Sequence, residues 1–191
     1  MSIKMKSFTR CLVLLLLAFS AFLSACKKET AGPAEPEDAY PFVAGDLLVG
    51  IKVGVPIEQV FQLVNAQQFT LSQVNGFDYT SALPKDSLAY VRKVLQAKPY
   101  FNQRGFTANA YISAVDGSLW EASTFFNMDQ ASQQDWLATM SQLRLTAGTG
   151  DYRDVYLKVP VGQEKFWRAE LRKNSIVRWT ELNSIGGAKP D

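Results

Sequence analysis

Histidine is absent from the 191-residue chain, and its only two cysteines are Cys11 and Cys26. Ser-His-Asp and Cys-His mechanisms and imidazole metal sites are therefore closed to it. Ser and Lys are both common, but no Ser-x-x-Lys stands in a helical setting with a matching Gly-rich loop. Carboxylates remain, because a glycosidase mechanism needs only two of them, about 5–10 Å apart. Asp116, Glu121, Asp129, Asp135, Asp151 and Asp154 lie in the middle and later parts of the chain. Each also has a structural reading: Asp116 in a turn, Asp129 as a helix cap, Asp151 and Asp154 in a charged loop with Arg153. That loop lacks the spaced acids of an EF-hand. Glu164 and Arg168, four apart, read as a solvated pair on a helix face. Gly54, Gly76, Gly117 and Gly162 are isolated turn glycines and form no phosphate-cradling loop. Neither a cofactor nor a metal is expected.

Aromatic side chains are the other chemical resource. Trp120, Phe125, Phe126, Trp136, Phe166, Trp167 and Trp179 crowd the second half of the chain. Most are expected in the core. Alternation along a strand separates Phe125 from Phe126, so on a one-sided sheet one of them must face outward. Phe125, Phe126 and Trp120 are the candidate binding surface on that reasoning.

The elements that must position these residues follow from hydrophobic spacing and turn chemistry. Asp46–Val53 is a β-rich run, and Pro56 opens a helix in which Ile57, Val60, Phe61 and Val64 share a face. Phe69–Val74 and Phe77–Leu83 read as two strands around the turn dipeptide Asn75-Gly76. A second helix follows Pro84, with Leu88, Val91 and Leu95 on one face, and ends at Pro99 or within 102–105. Thr107–Val115 and Leu119–Met128 form a hairpin through Asp116-Gly117. Asp129 caps a third helix carrying Trp136, Met140 and Leu143. A strand at Asp154–Val159, a helix that follows Gly162 and runs through Asn174, and a strand at Ile176–Leu182 complete the order. The pattern β-α-β-β-α-β followed by β-α-β-α-β predicts an α+β fold of ferredoxin-like split βαβ units, the second degenerate, with helices on one face of a largely antiparallel sheet. The globular region is expected at 46–183, with 46–115 and 119–183 as candidate halves, and 184–191 as a C-terminal tail.

The N-terminal segment has a different character. Lys4, Lys6 and Arg10 precede the apolar run 11–22, the pattern of a secretory signal and too short for a comfortable membrane span. Leu23-Ser24-Ala25-Cys26 resembles the lipobox of bacterial lipoproteins. The resemblance implies that residues 1–25 are removed and that Cys26 carries diacylglycerol, anchoring the chain to a membrane. An uncleaved anchor and an ordinary secretory signal ending at Ala25 are the competing readings. Removing 1–25 takes three of the 20 cations and none of the 18 acids, leaving one acid in excess. A nucleic-acid partner then has no electrostatic support. Residues 26–45, rich in charge, Pro and Ala, read as a flexible tether. Lys27-Lys28-Glu29 resembles the start of many Bacteroidetes lipoproteins, which places the protein in the cell envelope, on either face of the outer membrane.

Two further stretches resemble subtilisin propeptides. One is Asp46–Val55 with its helix, continued by Phe77–Leu83 and Asp86–Leu95; the other is Val159–Gly162 with its helix and Val177–Glu181. The resemblance implies a module that inhibits or chaperones a subtilisin-type protease, placing a sheet face on the enzyme and a C-terminal tail in its cleft. The function expected is thus a lipid-anchored, non-enzymatic protein-binding module, with an extracellular protease as a candidate partner. A carboxylate-dependent enzyme acting on envelope polysaccharide and a purely structural lipoprotein are the alternatives.

Overall fold

The computed structural model describes residues 41–101, 103 and 109–185. Cys26, the export segment and most of the tether lie outside these residues, as does the expected strand start at Thr107. Among the described residues no helix is long and apolar enough to cross a membrane.

The chain is α+β. Among the described residues seven strands, β1 (Phe42–Ile51), β2 (Thr70–Ser81), β3 (Asn109–Ile112), β4 (Leu119–Phe126), β5 (Leu145–Ala147), β6 (Asp154–Lys158) and β7 (Val177–Ser184), join in one sheet. The order is β3-β4-β2-β6-β1-β7, with β5 also beside β2, and every neighbouring pair is antiparallel. Four helices accompany them among the described residues: α1 (Ile57–Ala66), α2 (Leu88–Gln96), α3 (Gln130–Gln142) and α4 (Glu164–Leu171).

The split βαβ arrangement is present, but its two units interlock instead of following one another. β1 and β2 are both antiparallel to β6, which lies between them, so they are parallel to each other and α1 links them. β6 and β7 flank β1 in the same way, with α4 as their link. The four strands β2-β6-β1-β7 with α1 and α4 make the ferredoxin-like pattern. Residues 82–153 are inserted between the two units and extend the sheet past β2. The expected halves 46–115 and 119–183 are therefore not stacked copies, since β6 of the second pairs on both sides with strands of the first.

Local sequence explains most elements. Pro56 stands just before α1 with an extended backbone, Glu58 complements the positive end of the helix, and Ile57, Val60, Phe61 and Val64 are its buried residues. Alternation in β1 sends Leu47, Val49 and Ile51 into the core. Each such burial contributes about 1.5–3 kcal/mol. Asp129 caps α3, its side chain accepting a hydrogen bond of 2.8 Å from the Ser132 N–H.

Several boundaries differ from expectation. Asn75-Gly76 is not a hairpin turn: β2 runs through it, and the register slips between Leu71 and Gln73 against β6 and between Val74 and Phe77 against β4. Each slip lets inward side chains stand three apart, so Leu71, Val74, Phe77 and Tyr79 all reach the core. The tether ends sooner than residue 45, because β1 begins at Phe42 and the Ile185 N–H donates to the Pro41 carbonyl at 2.8 Å. Ser184 correspondingly belongs to β7 and not to the tail.

Candidate functional site

Of the three aromatic residues singled out as a binding surface, two are inside. Phe125 is fully buried against Trp136, with ring centroids 4.8 Å apart, and Phe101 lies 4.9 Å from it. Phe126 is 1% exposed. The premise of a one-sided sheet fails at this corner: the chain after α2 crosses the end of β4, where the Phe126 N–H donates to the Tyr100 carbonyl at 2.8 Å. Trp120 is half-buried beside the partly exposed Tyr111, its cross-strand neighbour, and its indole N–H donates to Ser118 Oγ at 2.5 Å. These three residues do not form one surface.

The acids are dispersed into structural roles. Asp116 accepts from both the N–H and the hydroxyl of Ser118, and these bonds pull its carboxyl down to about 2. Burial of Asp135 works against its charge, but Lys98 at 2.8 Å and the Tyr100 hydroxyl at 2.7 Å hold it below the usual carboxylate range. Asp154 Oδ1 accepts from Asn75 at 2.8 Å. Glu164 is not a solvated helix acid: it is buried, and its Oε1 accepts from the Gly45 N–H at 2.6 Å and the Gly162 N–H at 3.0 Å, tying α4 to β1. Among the described residues no three Asp, Glu, Cys or His side chains gather to hold a metal ion.

Glu121 is the exception. It projects from β4 into the core at 0% exposure, and neither carboxyl oxygen has a hydrogen-bond partner. Desolvation, with the negative charge of Asp78 as a second cause, holds its proton to well above the ordinary range. Tyr79 Oη and Trp136 Nε1 are also buried and unpartnered. Nothing in the sequence marked Glu121 as different from the other acids except its place on an apolar strand. The neutral acid can donate a hydrogen bond, but in this conformation it cannot touch a substrate.

The face of the sheet opposite the core carries a more accessible arrangement. There the registers align Tyr156, Leu48 and Glu181 in one row and Asp154, Gly50 and Trp179 in the next. The Trp179 indole lies directly over Gly50, where a Cβ would stand within 2.2 Å of the ring. Leu48, Tyr156 and Trp179 are part-exposed. Lys158 pairs with Asp46, and Asn183 donates to the same carboxylate at 3.2 Å, at one end of this apolar centre. Gln73, Asn75 and Asp154 are joined by hydrogen bonds of 2.8 Å at another side. An aromatic centre with a hydrogen-bonded polar rim is the usual anatomy of a protein-binding surface.

Compared with known proteins, the chain matches no protein family, no curated protein and no solved structure.

Proposed function

We propose that this protein is a lipid-anchored component of the cell envelope whose globular part is a non-enzymatic module that binds another protein through the helix-free face of its sheet. The observation that carries the reading is the Leu48–Tyr156–Trp179 centre with its polar rim. Its strands belong to the β1-α1-β2 and β6-α4-β7 units, to which the two propeptide-like stretches contribute β1, α1, part of β2, α4 and β7. A subtilisin-type protease is the proposed partner, because the resemblance assigns the enzyme to such a sheet face. The sealed position of Glu121 supports a binding role over the carboxylate-dependent alternative.

Two experiments test this. In the first, cells expressing the chain are fed an alkyne-bearing fatty acid, and label is expected on the wild type and not on Cys26→Ala. Equal labelling of both would remove the lipid anchor at that residue. In the second, the full chain is added to secreted proteases carrying an active-site serine probe. One or a few labelled bands are expected to fade, and Trp179→Ala or Tyr156→Ala to weaken that protection by more than about 30-fold, the loss of one anchor residue. If no band changes, or if both variants protect as well as the wild type, the protease reading falls.

A further inference from the structure

A second surface, on a different part of the molecule, has chemistry of another kind. The junction between α1 and β2 and the junction between β4 and α3 lie side by side and flank a half-open recess of about 450 Å³. That is within the range of small-ligand sites, about 300–1,000 Å³. A second recess of about 420 Å³ shares Asn65, Gln130 and Gln133 with the first, so the two run on as one groove along α1 and α3. Nothing in the sequence announced it, because its walls come from segments some sixty residues apart.

The lining mixes carboxamides with apolar side chains and carries little charge. The exposed amides of Gln68 and Gln130 line the first recess beside Asn65, Gln133 and Asn127, the last donating from Nδ2 to Gln103 Oε1 at 2.7 Å, and Gln62 and Gln134 continue the series into the second. Among the described residues no Lys or Arg lines either part, and the acids Asp129 and Glu58 stand among the amides. The two acids disfavour an anionic ligand. The apolar floor residues Phe61, Phe69, Leu71 and Met128 are themselves almost fully covered, and Leu137 is part-exposed.

The groove is also rigidly built. Gln133 is buried; its Nε2 donates to the Met128 carbonyl and its Oε1 accepts from Asn65 Nδ2, each at 2.8 Å. That chain of bonds orients the Asn65 amide and leaves its oxygen as an acceptor. Gln68 and Asn127 both take left-handed backbone, at φ 56° and 51°, unusual for residues other than glycine. Their two junctions are held together by bonds from the Asn127 N–H to the Ser72 carbonyl at 3.0 Å and from the Met128 N–H to the Leu71 carbonyl at 2.9 Å. Such conformations persist where the surroundings over-determine them. Finally, Phe69 leads outward. It packs edge-on to Trp167 at 4.9 Å, and Trp167 packs edge-on to Phe166 at 5.1 Å, which is 56% exposed. An aromatic ladder thus runs from the groove to solvent.

We propose that this groove binds a neutral oligosaccharide, the exposed carboxamides of Gln62, Gln68, Gln130 and Gln134 and the Asn65 oxygen meeting the sugar hydroxyls as donors and acceptors and the exposed Phe166 ring meeting the C–H face of a flanking sugar. Amides suit hydroxyls because each offers a donor and an acceptor side by side. The partly apolar face of a pyranose ring suits an aromatic platform. The site is separate from the helix-free sheet face and does not depend on a protein partner there.

The test is titration of the isotope-labelled full chain in detergent micelles with cello-, malto-, xylo- and chitohexaose, followed by NMR. At least one of them is expected to move the side-chain amide signals of Gln130 and Gln133. Gln130→Lys, a change at an exposed position that puts a long charged chain in the groove, is expected to weaken binding roughly tenfold with only a small fall in melting temperature, since a cation in the first turn opposes the dipole of α3. Phe166→Ala should weaken it several-fold. The proposal is overturned if none of the four moves these signals at about 10 mM, or if Gln130→Lys binds as well as the wild type. It is equally overturned if a sulfated oligosaccharide or a peptide occupies the groove and the neutral sugars do not.

Discussion

Gly76→Ala is expected to lower the free energy of unfolding by more than about 3 kcal/mol, whereas Gly54→Ala should cost only about 1–2 kcal/mol. The two glycines have nearly the same left-handed backbone, φ 72° and 79°. They differ in what surrounds them. A Cβ on Gly54 would meet nothing within 4 Å, so its alanine bears only the conformational cost. A Cβ on Gly76 would stand 1.5 Å from the Tyr152 carbonyl oxygen and 2.7 Å from the carbon, backbone atoms that no rotamer can move. To make room, either the β2 irregularity or the segment 148–153 must shift. That segment is held by Arg153, which is buried, donates from Nη1 to the Val55 carbonyl at 3.2 Å and from Nη2 to the Gly148 carbonyl, and lies over the Phe77 ring at 5.0 Å. Moving it breaks bonds of a charged group with no exposed substitute. Urea unfolding of both variants separates the two costs. Equal losses in the pair would mean that the close approach of Tyr152 to β2 does not exist in solution.

Gly76 also shows where sequence reasoning reached and where it stopped. Asn75-Gly76 between two apolar runs is a strong hairpin signal, and Gly76 does take the positive φ that such turns use. What the dipeptide does with that backbone depends on the partner strands. Here β4 and β6 pair with β2 on either side of it, so the chain continues and absorbs the glycine as an irregularity. A trace of this was present in the spacing of Leu71, Val74 and Phe77, since inward residues three apart do not fit one plain strand. Elements specified by their own periodicity were legible: β1, the apolar face of α1 and the cap of α3 all rest on residues within one or two turns. The interlocking of the split units was not, because β6 enters between β1 and β2 only after the whole insertion 82–153 has been made. The candidate sites fared worse for the same reason. The sheet-face centre needs registers between β6, β1 and β7, and the amide groove needs two remote junctions. Neither has a motif. Phe125 and Phe126 were chosen by an alternation rule whose premise, one open face, does not hold where the chain crosses the end of β4.

Glu121→Met is expected to stabilise the protein at alkaline pH and to flatten its loss of stability with rising pH. The site holds an acid with two unpartnered oxygens at 0% exposure. Leaving a polar group buried and unsatisfied costs about 1–3 kcal/mol even when it is neutral, and Met fills a similar volume without that cost. The charge adds a pH dependence whose sign follows from proton linkage. The ordinary value for the unfolded chain is 4.5, and burial, then Asp78, raise the folded value well above it. Between those two values the folded state binds more protons than the unfolded state, so stability falls as pH rises through that window. Below 4.5 both states carry the proton and the contribution is fully present. Asp116, Asp129, Asp135 and Glu164 act in the opposite sense, because their folded values are lowered, and they withdraw stability as pH falls below the ordinary carboxylate range. These groups are unchanged in the variant and cancel in the difference between the two proteins. That difference, from urea unfolding at a series of pH values, should be flat below about 4.5 and grow in favour of Glu121→Met above it. A difference that stays constant to alkaline pH would mean that Glu121 ionises without penalty, and that water or another group reaches its carboxyl through β4 and α3. In that case the acid would again be open to chemistry, and the binding reading would lose one of its supports.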